Sequence, residues 1–122
     1  MILVDTSVWV EHFRSGTVCL DTLLNEGQVL CHSFIIGELA CGNFRNRAAI
    51  LGLLQDLPAL TCAEDHEVLH FIEMQGLMGK GLGYIDIHLL MSALLARVPL
   101  WTLDRRLHEI ACKLLPEIHP NH

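Results

Sequence analysis

The chain has 122 residues, 52% of them hydrophobic, and a formal charge of −6. That length fits one domain with a sizeable core. No apolar run approaches the roughly 18 residues of a membrane span, and no basic start followed by an apolar stretch of about 7–15 residues marks a secretory signal, so a cytoplasmic protein is expected. The acidic balance argues against a generic nucleic-acid binder, although a cation held by acids would reverse the local sign of charge. The five cysteines, Cys19, Cys31, Cys41, Cys62 and Cys112, form no C-x-x-C pair. They read as small apolar core residues in a reduced compartment.

Short apolar runs alternate with longer helical ones, which predicts a parallel sheet wrapped by helices. Residues 1–4 read as a strand and Ser7 to Phe13 as a short helix. Leu20 to Asn25 is helical, with Gly27 just beyond its end. Val29-Leu30-Cys31 is a short strand, and Ser33 is the expected N-cap of a helix carrying Glu38. Residues 46–56 are helical up to Pro58, and Leu60 to Cys62 form a further strand. Residues 64–77 are an amphipathic helix with Glu64, Asp65 and Glu67 where the helix dipole favours acids. Gly76 to Gly83 is a glycine-rich connector whose place just before Asp86 suits a gate. Ile85 to Ala96 is apolar on nearly every side and predicts a buried helix. Pro99 to Leu103 is a strand with proline at its start. Asp104 opens a helix to Leu115, and Glu117-Ile118 adds an edge strand. The predicted order is β-α-α-β-α-α-β-α-α-β-α-β.

Asp5 and Asp104 each stand directly after an apolar strand and before a helix, which in a parallel sheet places both at one edge. Asp86 opens the most apolar helix, and Glu38 lies between Ile35-Ile36 and Leu39-Ala40. Each acid alone has a plain reading, as an N-cap or a solvated side chain. Together they are harder to explain, because two carboxylates about 4 Å apart repel by roughly 4 kcal/mol at an effective dielectric near 20. Oxygen-only ligands suit Mg²⁺ or Mn²⁺ and not Zn²⁺. Such ions activate water for attack on phosphoesters, so a metal-dependent phosphoester hydrolase is the reading the residues support.

The segments MILVDTSVWV, FIIGELA, GLGYIDIHLLMSALLA and LWTLDRRL, in this order and spacing, resemble a PIN domain of the VapC toxin type across essentially the whole chain. The resemblance implies a single PIN domain over residues 1–122, an α/β/α sandwich around a mostly parallel sheet of four to five strands. It implies a Mg²⁺- or Mn²⁺-dependent endoribonuclease that cuts loops of tRNA or rRNA, a VapB-type antitoxin partner, and a homodimer. Asp5, Glu38, Asp86 and Asp104 would form the metal site. The hydroxyl of the opening motif falls on Thr6 and Ser7, of which Ser7 is the expected site contact, and Thr102 would orient Asp104 or bind a phosphate oxygen. His88 departs from the alanine-rich sequence of many relatives and reads first as a core or supporting histidine, with proton transfer as the alternative.

RNA contacts are expected from Arg14, Arg45, Arg47, Lys80, Arg105 and Arg106, each near a candidate acid or flanking loop. Gly79-Lys80-Gly81 fails the phosphate-loop spacing, and no nucleophile elbow is present. Ser92 and the two tryptophans, Trp9 and Trp101, read as packing residues. His119 and His122 are discounted as ligands. Two other functions compete: a phosphatase with Asp5 as nucleophile, for which Ser7 stands where a second acid is wanted, and a PIN-like scaffold without activity.

Overall fold

The computed structural model describes residues 1–16 and 20–118. Cys19, His119 and His122 lie outside the described residues. Strands β1 (Ile2–Val4), β2 (Val29–Leu30) and β3 (Leu100–Trp101) form a parallel sheet in the order β2-β1-β3. Helices α1 (Thr6–Arg14), α2 (Asp21–Asn25), α3 (Ser33–Ala40), α4 (Arg47–Asp56), α5 (Asp65–Gln75), α6 (Tyr84–Ala96) and α7 (Arg105–Leu114) complete it. The expected α/β architecture is present.

The central strand is apolar at every position because it is covered on both faces, as parallel sheets require. Ile2, Leu3 and Val4 are all buried. Helix α6 buries Ile87, His88, Leu89, Leu90, Ser92 and Ala93, which accounts for its lack of a polar stripe. Helix α7 buries Leu107 and Ala111, one turn apart, and leaves its charged face in solvent. Trp9 is buried and Trp101 half-buried, and Ser92 Oγ donates to Thr61 O over 2.9 Å.

The sheet is smaller than expected. The strand predicted at Leu60 to Cys62 is reduced to one parallel bridge, Cys31↔Ala59. Cys31 N donates to Pro58 O (2.8 Å) and Leu60 N to Cys31 O (2.9 Å). Pairing stops there because the next residue on one side, His32, turns into α3, while on the other Thr61 O is taken by Ser92. No strand forms at Glu117-Ile118, where Pro116 follows the end of α7. The cap of α3 is His32, not Ser33: His32 Nδ1 accepts from Phe34 N over 3.0 Å. The cysteines also depart from expectation. Among the described residues only Cys31 is a buried cysteine, where desolvation raises its thiol pKa, while Cys41, Cys62 and Cys112 are exposed free thiols.

Candidate active site

β1 and β3 are parallel neighbours, so the chain leaves both at the same edge. Val4 faces Trp101, which sets Asp5 opposite Thr102 and brings Asp104 in two residues later. Asp5 N continues the ladder by donating to Trp101 O over 2.9 Å. The Asp5 side chain, only 6% exposed, then caps α1. Its Oδ2 accepts from Ser7 Oγ (2.7 Å), Thr102 Oγ1 (2.8 Å) and, more weakly, Ser7 N (3.4 Å).

The two hydroxyls form a closed arrangement. Ser7 Oγ and Thr102 Oγ1 are 3.2 Å apart, and each has one hydrogen to donate. Both hydrogens are directed to Asp5, while the oxygens accept from Leu103 N (3.0 Å) and Asp104 N (3.1 Å) respectively. Thr102 therefore links the acid after β1 to the backbone of the acid after β3. Asp104 caps α7, its Oδ1 accepting from Leu107 N over 2.9 Å. Asp86, in the first turn of α6, accepts from Gly83 N through Oδ2 over 3.0 Å. Glu38 is drawn in by Thr6, whose Oγ1 donates to Glu38 Oε1 over 2.8 Å across 32 positions of sequence.

Asp86 lies within electrostatic reach of two of the other acids. Burial pushes its carboxyl above the usual range, the Gly83 N–H pulls it back, and the charges of Asp5 and Asp104 push it up further. These three acids come from the ends of β1 and β3 and the start of α6. Among the described residues, no three His, Cys, Asp or Glu side chains close tightly enough to enclose an ion as they stand. The donor set nonetheless fits a hard divalent ion. Asp5, Glu38, Asp86 and Asp104 each bind the protein through one carboxylate oxygen. The second oxygen of each accepts no hydrogen bond from the described residues.

Residues 2–113 match the PIN domain family. Over 113 residues the chain is 43% identical to Ribonuclease VapC32 of Mycobacterium tuberculosis strain CDC 1551 / Oshkosh, and equally to that of strain ATCC 25618 / H37Rv. The alignment covers 92% of this chain and 90% of each relative. This chain belongs to the PIN-domain family, in its VapC branch.

Around the acids of this PIN domain the basic residues divide. Arg14 and Arg45 line a cleft of about 420 Å³ together with Glu38, Phe13 and Phe44. Arg14 also pairs with Glu11 over 2.8 Å. Arg106 lies against Gly81, in the loop before Asp86. Arg105 pairs with Glu109 over 3.4 Å along α7. Lys80 lines a separate cleft of about 180 Å³ with Lys113. Arg47 serves the fold: its guanidinium binds the carbonyls of Gly42 and Ala40 at the end of α3.

His88 sits in the core of the PIN domain. Its ring meets Phe34 and Tyr84 edge-on, at centroid distances of 4.6 and 4.8 Å. Two residues along a helix turns it about 200° away from Asp86, toward Asp65 at the start of α5, whose Oδ1 is 3.8 Å from His88 Nε2. Gly83, which holds Asp86, was not singled out from sequence, although its spacing of three before an acid is the pattern of a helix start. Phe44, stacked on Phe13 at 4.9 Å and 8°, carries no periodic signal that would have marked it.

Proposed function

We propose that this chain is a divalent-metal-dependent endoribonuclease, the toxin of a type II toxin–antitoxin pair, that cuts exposed loops of tRNA or rRNA. The observation that carries this reading is that Asp5 and Asp104 leave neighbouring strands at one sheet edge within electrostatic reach of Asp86, each acid with one oxygen held by the protein and the other accepting from no donor among the described residues. Asp5, Asp86 and Asp104 would hold the ion, with Glu38 joining from α3. Mg²⁺ or Mn²⁺, when bound, supplies charge stabilisation at the phosphate and a water acidic enough to attack it, leaving a 5′-phosphate and a 3′-hydroxyl. Ser7 and Thr102 fix the rotamer of Asp5, and Thr102 also sets the backbone of Asp104. Arg14 and Arg45 face the cleft beside Glu38 and suit a polyanion, as does Arg106. A target in loops follows from chemistry, since unpaired segments leave bases and backbone within reach.

A nucleophilic Asp5 finds less support. One of its oxygens takes three hydrogen bonds, and Ser7 occupies the place of a second acid. The exposed side chains of Leu53 (66%), Leu69 (58%), Met74 (69%) and Leu95 (66%) favour burial against other chains, which fits a VapB-type antitoxin and a homodimer. No helix among the described residues is long and apolar enough to cross a membrane, which fits action in the cytoplasm.

The test is to incubate the chain and its Asp5→Asn variant with total tRNA and rRNA in Mg²⁺, Mn²⁺ or EDTA, and to map the ends. Discrete cuts with 5′-phosphate ends, lost in EDTA and in the variant, are expected. The asparagine can still offer its carbonyl oxygen to Ser7 and Thr102, so the variant should melt like the parent. Cleavage that survives Asp5→Asn would overturn the site.

A further inference from the structure

We propose that Arg106, seated on the backbone of Gly81, is the arginine that grips an RNA phosphate at the mouth of the acid cluster; this rests on the ribonuclease reading. Arg106 follows Asp104 by two residues on the first turn of α7, and its side chain folds back over the loop that leads into α6. A Cβ placed on Gly81 would stand 2.5 Å from Arg106 Nη1, 2.7 Å from Cδ and 3.0 Å from Cζ. The guanidinium and the end of its stem therefore occupy the space beside Gly81 that a side chain there would take, so any larger residue would push Arg106 aside. Gly81 also has φ of +80°, which favours glycine independently.

This seat joins the two segments that matter. The loop under Arg106 runs two residues on to Gly83, whose N–H is held by Asp86. Arg106 itself belongs to the helix capped by Asp104. The side chain thus spans from the segment carrying one acid to the segment carrying another. It is also uncommitted: among the described residues no carboxylate or carbonyl accepts from it. Its neighbours differ, since Arg105 is tied to Glu109, Arg14 to Glu11, and Arg47 to two carbonyls. An exposed guanidinium that neutralised the acids would be paired with one of them. An unpaired planar fork, with its stem against Gly81, is suited to a phosphate, because bidentate geometry is available and no protein partner has to be given up.

Gly79 supplies the control. It too has a positive φ, +70°, but nothing lies within 4 Å of an added Cβ. Gly79→Ala therefore carries the backbone strain without displacing Arg106, whereas Gly81→Ala carries both. Binding of total tRNA would be measured from about 50 to 200 mM salt in the cleavage-silent Asp5→Asn background, alongside the rise in melting temperature caused by Mn²⁺ in the parent background. Arg106→Ala should weaken tRNA binding by roughly 5–20-fold at the low-salt end and reduce the log–log salt slope by about 1, the loss of a single phosphate contact. Gly81→Ala should do the same, Gly79→Ala should not, and Arg106→Lys should restore the slope but only part of the affinity. The Mn²⁺ effect should be unchanged in all of them.

An unaltered slope in Arg106→Ala, equal damage from the two glycine variants, or a lost Mn²⁺ effect in Arg106→Ala would overturn the proposal. If the parent cuts RNA while Arg106→Ala binds and cuts identically, the proposal falls alone. If the parent cuts nothing but the slope still changes, the phosphate contact stands and the ribonuclease reading falls. If tRNA does not bind at all, both fall.

Discussion

Two hydroxyl groups determine how Asp5 is presented. Ser7 and Thr102 both donate to the same carboxylate oxygen, and Thr102 also receives the N–H of Asp104. Thr102→Val keeps the shape and removes both functions, leaving buried polar groups without partners. A stability loss of about 1–3 kcal/mol is expected, with roughly 10–100-fold lower metal affinity or activity. Thr102→Ser should recover most of both, as read by denaturant melts and a Mn²⁺ titration. Asp86 behaves in the opposite sense. Burial and the charges of Asp5 and Asp104 raise its folded pKa, so its contribution to stability is fully present only below the usual carboxylate pKa and is lost as pH rises. In metal-free buffer at pH 7, Asp86→Asn should therefore melt a few degrees higher than the parent, with the difference closing as pH falls below about 4. A lower melting temperature at pH 7 would show that burial and the neighbouring charges do not penalise the Asp86 carboxylate.

Helix starts explain why so much of the fold could be read from sequence. Asp5 and Asp104 each cap the helix that follows a strand, so the strand–acid–helix pattern marks both the element boundary and the site. The amphipathic stripe of α7 and the all-apolar α6 were equally legible. Strand edges were not, because a two-residue strand takes its hydrogen bonds from neighbours and not from its own composition. Leu60 to Cys62 has strand chemistry, yet Thr61 O is bound by Ser92 and β2 has already turned into α3. Histidine is not a customary cap, so Ser33 was the natural but incorrect choice over His32. Arg47 shows a similar limit: its charge suggested RNA, while its reach to Gly42 and Ala40, a structural role, is decided by a turn invisible in sequence. Arg47→Ala should cost about 0.5–1.5 kcal/mol through two lost hydrogen bonds whose carbonyls water can reach, while leaving tRNA affinity within twofold. A larger loss of affinity than of stability would return Arg47 to the RNA surface.

For the molecule as a whole, the buried pair His32 and His88 sets a limit toward acid. Burial lowers the pKa of both; His88 lowers His32 further, and Asp65 partly offsets the effect on His88. The unfolded chain takes up these protons near pH 6.5. The folded chain resists, so stability is present above that value and declines as pH falls through the lowered folded values. Melting temperature should be flat from about pH 8 to 7 and drop below about 6.5. His32→Asn keeps an acceptor for Phe34 N and loses the titrating ring. It should melt lower at pH 8, because volume is lost, yet decline less steeply toward pH 5. A parallel acid limb in that variant would assign the decline to other groups.

The division of each acid between an oxygen held by the protein and one left over has, on the proposed function, a consequence for how such a protein can decay over generations. Alanine at Asp5 or Asp104 would remove a helix cap as well as the proposed metal-binding carboxylate, and the lost cap costs about 0.5–2 kcal/mol each. Asparagine retains the cap and abolishes only the charge. A lineage released from selection for cutting RNA can therefore lose activity in one step while keeping a sound fold, and the first trace of that loss would be amides where the carboxylates stood. This chain bears no such trace: Asp5, Glu38, Asp86 and Asp104 are all still acids.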